Sequence, residues 1–145
     1  MGRVKSSRRS YLLGLVALSA LAMPASAENF TTAAEVKPIL TATKPQWVAV
    51  RLYDGKDLLY FTNLLSWRCG LSGIQYAVNG GEMTVFEPEP CYENTATPNA
   101  LKAESLDAIL VSFPPETVRT IDVSVTFDDG STEAAHYERK AVEIQ

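Results

Sequence analysis

Two cysteines and a single histidine carry the most specific chemistry in this chain. Cys69 and Cys91 could form a disulfide, bind a metal or act as a redox pair. The metal site is the weaker alternative, because zinc needs a full set of nitrogen or sulfur ligands and the chain adds only the distant His136. Redox pairs usually have the form Cys-x-x-Cys, which is absent here. We therefore predict a Cys69–Cys91 disulfide, without metal or cofactor.

Carboxylates surround the second cysteine in the stretch Glu87-Pro-Glu-Pro-Cys-Tyr-Glu93. Arg68, beside the other cysteine, could pair with Glu87 or Glu89 in a partly solvated ion pair. Alternatively, Glu87 and Glu89 form a rigid acidic epitope for a basic partner. Loop acids flanked by proline are poor candidates for the carboxylate pair of a glycosidase, and a lone His136 is weak evidence for acid–base catalysis. We predict no catalytic residue.

The N-terminus has the composition of a cleavable export signal. Basic residues precede an apolar run from Tyr11 to Met23, and Ala25-Ser26-Ala27 follows. The run is shorter than the roughly 20 residues of a membrane span. Arg8-Arg9 fits either the twin-arginine route or ordinary secretion. We predict a signal peptide at 1–27 and one periplasmic or secreted domain at 28–145.

The net charge of residues 28–145 indicates which classes of partner the domain can bind. Residues 28–145 carry nine Lys and Arg against seventeen Asp and Glu, a net charge of −8. Nucleic acid is a poor partner for such a surface, because phosphate binding needs clustered cations. A basic protein fits better, although acidity can also serve solubility alone.

Hydrophobic periodicity predicts a β-rich domain. Thr32-Ala-Ala-Glu35 opens a short helix to about Thr41, which Pro38 is expected to limit to one or two turns. Asp54-Gly55 and Asn79-Gly80 predict tight hairpin turns. The strands are predicted at 47–53, 58–67, 74–78, 83–86, 108–113, 118–127 and 132–139.

These elements predict an α+β fold, mainly antiparallel β. It has a short N-terminal helix and a meander of about seven strands, folded as a small barrel or sandwich. Residues 87–103 are predicted to form a long surface loop that Cys91 ties down.

Ser72-Gly73-Ile74-Gln75-Tyr76 has the Ser-Gly-x-x-Tyr form of the periplasmic C-type lysozyme inhibitors. The following stretch, Gly80-Gly-Glu-Met-Thr-Val-Phe86, resembles the glycine-acidic strand of that family. The resemblance implies a small exported β-barrel with a disulfide. It also implies that Ser72 and Tyr76 are contact residues in a loop that enters a strongly cationic lysozyme.

A second resemblance covers the run AAEVKPILTATKPQWVAVRLYDGKDLLYFTNLLSWRCGL. It is similar to a set of small exported bacterial proteins without assigned activity, which implies the signal and the cysteine pair. We therefore expect a non-catalytic, exported binding or accessory domain. The alternatives are a lysozyme-inhibitor-like protein and a small enzyme whose site the sequence does not show.

Overall fold

The computed structural model describes Gly2 and residues 29–145. Apart from Gly2, the predicted signal peptide lies outside these residues. The described helices are α1 (Ala33–Ala42), α2 (Thr62–Leu65) and α3 (Arg139–Val142). The described strands are β1 (Ala49–Tyr53), β2 (Lys56–Tyr60), β3 (Leu71–Val78), β4 (Thr84–Phe86), β5 (Leu110–Phe113), β6 (Thr120–Phe127) and β7 (Thr132–Glu138). The fold is thus β-rich with few helices, as the sequence predicts.

The predicted helix forms at α1, inside the chain rather than at its start. The Glu35 carboxylate accepts hydrogen bonds from the N–H groups of Thr31 and Thr32 at 2.9 and 3.0 Å. Pro38 lies within the ten-residue helix and does not shorten it to one or two turns. Val36 and Leu40 are fully buried, and this tertiary packing offsets the hydrogen bond that proline removes.

Both predicted turns are present, but only Asp54-Gly55 closes a tight two-residue hairpin, because the β3–β4 ladder begins at Tyr76 and Thr84. Asp54 and Gly55 adopt φ angles of 48° and 68° between β1 and β2, and Asn79 and Gly80 adopt 54° and 69° between β3 and β4. Positive φ at both central residues gives the backbone twist that a two-strand hairpin needs.

The predicted strand at 58–67 is wrong in its second half. Strand β2 ends at Tyr60 and the chain turns into α2. Phe61, Leu64 and Leu65 are all fully buried. Their spacing is that of one helix face, which a short apolar run can satisfy as well as a two-faced strand.

The predicted meander and barrel are also wrong, because strands pair out of chain order in two open sheets. One sheet has the order β1-β2-β5 and the other β4-β3-β6-β7, with all neighbours antiparallel. Pairing of β2 with β5 and of β3 with β6 needs long connections. The segment 87–109 is part of both connections, because it returns the chain from β4 to β5.

The two sheets share one hydrophobic core. In β6, Ile121, Val123, Val125 and Phe127 all face this core, as their alternation predicts. The Phe61 ring after β2 stacks on Phe86 of β4, with centroids 4.2 Å apart. This contact holds the β4 side of one sheet against the β2–β5 side of the other.

Candidate functional site

Cys69 and Cys91 form the predicted disulfide. Cys69 lies just before β3, and Cys91 lies in the irregular segment after β4. The bond therefore anchors residues 87–103, the segment that the sequence marks as a surface loop. A chain-entropy estimate for a closed loop of this size is about 3 kcal/mol.

The guanidinium of Arg68 is buried and binds the same segment from inside. Its nitrogens donate to carbonyl oxygens at 2.7–3.2 Å, those of Leu65, Glu89, Pro90, Asn99 and Ala100. Arginine suits this position because its planar fork presents several fixed donors. The loop has no secondary structure to supply donors for these carbonyl groups. The guanidinium of Arg68 supplies them instead.

Glu89 also holds this segment, and we call Arg68 and Glu89, with their hydrogen bonds to residues 87–103, the loop clamp. The Glu89 carboxylate accepts hydrogen bonds from the N–H groups of Lys102 and Ala103 and from the Tyr92 hydroxyl, at 2.7–3.1 Å. It also lies 3.7 Å from Arg68 Nη2. The ion pair is therefore buried, rather than partly solvated as predicted. Glu89 does not form the predicted exposed epitope, because its oxygens are directed into the loop.

The ionisation of the clamp follows from these contacts. Burial lowers the pKa of Arg68, and the negative charge of Glu89 opposes that shift. Burial alone would raise the pKa of Glu89, but hydrogen bonds from Lys102, Tyr92 and Ala103 outweigh it and hold that pKa below its usual value. The hydrogen bond to Glu89 in turn raises the pKa of Tyr92. Glu89 is thus stabilised as the carboxylate and Tyr92 as the neutral hydroxyl, the forms that hold the loop, whereas burial disfavours the charged guanidinium of Arg68 and the charge of Glu89 compensates in part.

Ser72 and Tyr76 both lie on strand β3 rather than in a loop. Ser72 is exposed, at a register shift between Leu71 and Gly73, and its hydroxyl donates to the Phe127 carbonyl at 3.0 Å. Tyr76 packs its ring against Phe61 at 5.3 Å between centroids, and burial raises its pKa. Ser72 therefore borders a cleft of about 290 Å³ beside Glu87 and Cys91, whereas Tyr76 faces elsewhere.

Tyr76 contributes to a larger opening, which we call the β4–β5 groove. This groove of about 650 Å³ lies between the outer edges of the two sheets. One wall consists of Val85, Phe86, Glu87 and Pro88, and the other of Leu110, Val111 and Ser112. Asp107 lies at its end. Of the predicted contact residues, Tyr76 and Glu87 therefore line one surface, together with the buried Glu89.

The groove is acidic and partly apolar. Glu87 and Asp107 are exposed, and neither forms an ion pair within residues 29–145. No lysine or arginine of that range lines the groove. Val85 is 53% exposed although it is a large apolar side chain in a strand. The surface can therefore accept positive charge and apolar contact at the same time.

Sequence reasoning missed the β5 wall and Asp107. One signal was present, since the runs Thr84-Val-Phe86 and Leu110-Val-Ser-Phe113 contain no charge. Edge strands are commonly protected by charged residues. However, this signal could be used only if both runs were known to lie at sheet edges, which depends on the long-range pairing.

Among the ionic pairs that lie outside the groove are one of Arg139 and one of His136. Asp57 is fully buried and forms a bidentate ion pair with Arg139 at 2.7 and 2.9 Å. This pair fixes α3 to the first sheet. His136 is exposed on the outer face of β7, as predicted, and its Nδ1 lies 2.7 Å from Asp122 Oδ1, a contact that raises the pKa of His136. The Nε2 of His136 also lies 3.7 Å from Glu138 Oε1.

No group of His, Cys, Asp and Glu side chains in residues 29–145 is arranged to hold a metal ion. Within the same residues, no helix is long and apolar enough to cross a membrane. Comparisons with protein-family models, curated proteins and solved structures found no match to this chain. Inferences about function therefore depend on the geometry of the groove and on the sequence.

Proposed function

We propose that residues 28–145 form an exported, non-catalytic domain that binds a basic partner protein in the β4–β5 groove. The observation that carries this proposal is the meeting of two uncharged strand edges in one groove with unpaired carboxylates at its rim. Apolar area supplies affinity, and the rim charges favour a cationic partner.

The organisation of the charged groups supports binding rather than catalysis. The buried ones, Arg68 with Glu89 and Asp57 with Arg139, are occupied by hydrogen bonds that hold segments of the chain together. The exposed ones, Glu87 and Asp107, belong to a groove whose lining within residues 29–145 contains no histidine, lysine or cysteine to act as a base or an activated nucleophile. A surface of this kind offers recognition and no evident acid–base step.

Export is supported by the leader and by the disulfide together. The leader has a basic start, an apolar run and Ala25-Ser26-Ala27. A structural disulfide is typical of an oxidising compartment. The two features are independent, because one concerns targeting and the other concerns the folded domain.

Site-specific photo-crosslinking in cells tests the proposed function. A photoreactive amino acid is placed at Val85 in the groove and, as the matched control, at Tyr53 in the β1–β2 hairpin. The two positions have similar exposure, 53% and 56%. We expect a discrete crosslinked protein with a basic surface from Val85 and none from Tyr53. Equal products at both positions, or none at Val85, would contradict the proposal.

Lysozyme inhibition is a second candidate, favoured by the exposed Ser72 at the mouth of the smaller cleft. Purified oxidised protein is assayed against a C-type lysozyme, with Ser72→Ala and Tyr76→Ala as variants. Inhibition that Ser72→Ala abolishes without changing the melting temperature would support this candidate. Absence of inhibition by the wild type would exclude it. Tyr76→Ala is expected to destabilise in either case, because its ring packs on Phe61.

A further inference from the structure

We propose that an extended, basic segment of the partner binds the groove as an added β-strand along the open edge of β5. This inference rests on the proposed function and specifies the form of its ligand. Strand addition draws affinity from main-chain hydrogen bonds and specificity from alternate side chains. The backbone of β5 and the charges of the groove carry the argument.

The hydrogen-bond pattern shows which backbone groups of β5 are open. Phe61 N–H donates to the Ile109 carbonyl at 3.0 Å, which fixes the alternation of the β2–β5 ladder. Val111 therefore directs its backbone groups toward β2, whereas Leu110 and Ser112 direct theirs away from it. No hydrogen bond joins the N–H or C=O of Leu110 or Ser112 to another residue of 29–145.

Both residues with open backbone groups lie on the groove. Ser112 is exposed and Leu110 is 5% exposed, and both line the groove beside β4. An extended ligand in the groove can bond backbone groups that have no partner within the chain. The two residues are also spaced as alternate residues of a strand, about 6.8 Å apart, which matches the repeat of an extended chain.

The other sheet edges differ from β5. Edge strand β1 is contacted by the C-terminal segment, where Ile144 N–H donates to the Val50 carbonyl. Edge strand β7 carries Glu133, His136 and Glu138. Charges and covering segments are devices that prevent strand addition. Strand β5 carries no charged residue along its length, and the three-residue β4 lies across the groove from it.

The charge of the groove selects the occupant. Glu87 and Asp107 flank the open edge, so a segment with lysine or arginine at alternate positions finds a complementary site. A second copy of this chain is disfavoured, because residues 28–145 carry a net charge of −8. The exposed, apolar Val85 on the opposite wall suits apolar residues at the intervening positions.

The test uses the oxidised protein recovered after export and a short peptide of alternating lysine and valine. A matched peptide carries backbone N-methyl groups on alternate residues, which keeps its charge and side chains but removes its strand-edge donors. We expect the methylated peptide to bind at least about 10-fold more weakly. Neutralising Glu87→Gln with Asp107→Asn should weaken the unmethylated peptide by about 2- to 10-fold. The control pair Asp54→Asn and Glu93→Gln, outside the groove, should not weaken it.

Amide hydrogen exchange locates the bound strand. Peptide binding should slow exchange at Leu110 and Ser112, while the outward amides of Ala134 and His136 on β7 serve as an equivalent edge that stays unchanged. Equal binding of both peptides, with no protection at Leu110 and Ser112, would overturn strand addition. The photo-crosslink at Val85 would then still report on the proposed function. No binding of the lysine–valine peptide, or protection caused by dimerisation without peptide, would also overturn the inference.

Discussion

Replacement of Arg68 by methionine removes the centre of the loop clamp while keeping a long apolar side chain. The structure allows the cost to be estimated. The guanidinium is buried, its bonds reach the carbonyl groups of five residues, and Glu89 lies beside it. Loss of one partner of a buried charge pair typically costs about 3–5 kcal/mol, because the other charge stays buried. We expect a loss of that size, a large part of a typical domain stability.

The assay is urea unfolding of the oxidised protein at neutral pH. Arg119→Met is the matched control, since Arg119 is exposed and its side chain makes no hydrogen bond within residues 29–145. It should change the free energy of unfolding by no more than about 0.5 kcal/mol. Arg68→Met combined with Glu89→Gln should cost less than the sum of the single changes. A loss below about 1 kcal/mol for Arg68→Met would refute the assignment of the clamp as the main tether of residues 87–103.

Three other outcomes are expected. Cys69→Ser should lower the free energy of unfolding by about 2–5 kcal/mol in denaturant titrations, and loss of less than that range would leave the disulfide without a stabilising role. Asp57→Asn should cost about 2 kcal/mol at neutral pH, because Arg139 lowers the pKa of Asp57 from 3.8 to about 2. That contribution is present above pH 3.8 and is lost as the pH falls toward 2. The free energy of unfolding of the variant should therefore fall less than that of the wild type over this pH range. N-terminal sequencing of exported protein should begin at Glu28, and a start at Met1 would contradict cleavage after Ala27.

Local patterns in the sequence predict much of the local structure. The positive φ angles at Asp54 and Asn79 follow from residue types that tolerate them next to glycine. The strict alternation of Ile121 to Phe127 predicts β6 and its buried face. The disulfide follows from cysteine count and compartment. In each case the physical cause lies within a few residues or in a single pair.

Long-range features could not be predicted in the same way. The run 58–67 fits a two-faced strand and a strand followed by a helix equally well, and only packing of Phe61, Leu64 and Leu65 decides between them. Nothing near Glu89 in the sequence indicates that the N–H groups of Lys102 and Ala103 will surround its carboxylate. The groove exists because β2 pairs with β5, a contact that no local pattern specifies.

We propose above all that the β4–β5 groove binds a basic partner protein. The most direct test is the affinity of the crosslinked partner, once purified, for the wild-type chain and for the double charge reversal Glu87→Lys with Asp107→Lys. Asp54→Lys with Glu93→Lys gives the same change in net charge outside the groove. We predict a loss of at least about 10-fold for the groove variant, at an unchanged melting temperature, and a much smaller loss for the control. Equal affinities for the two variants would contradict binding in the groove.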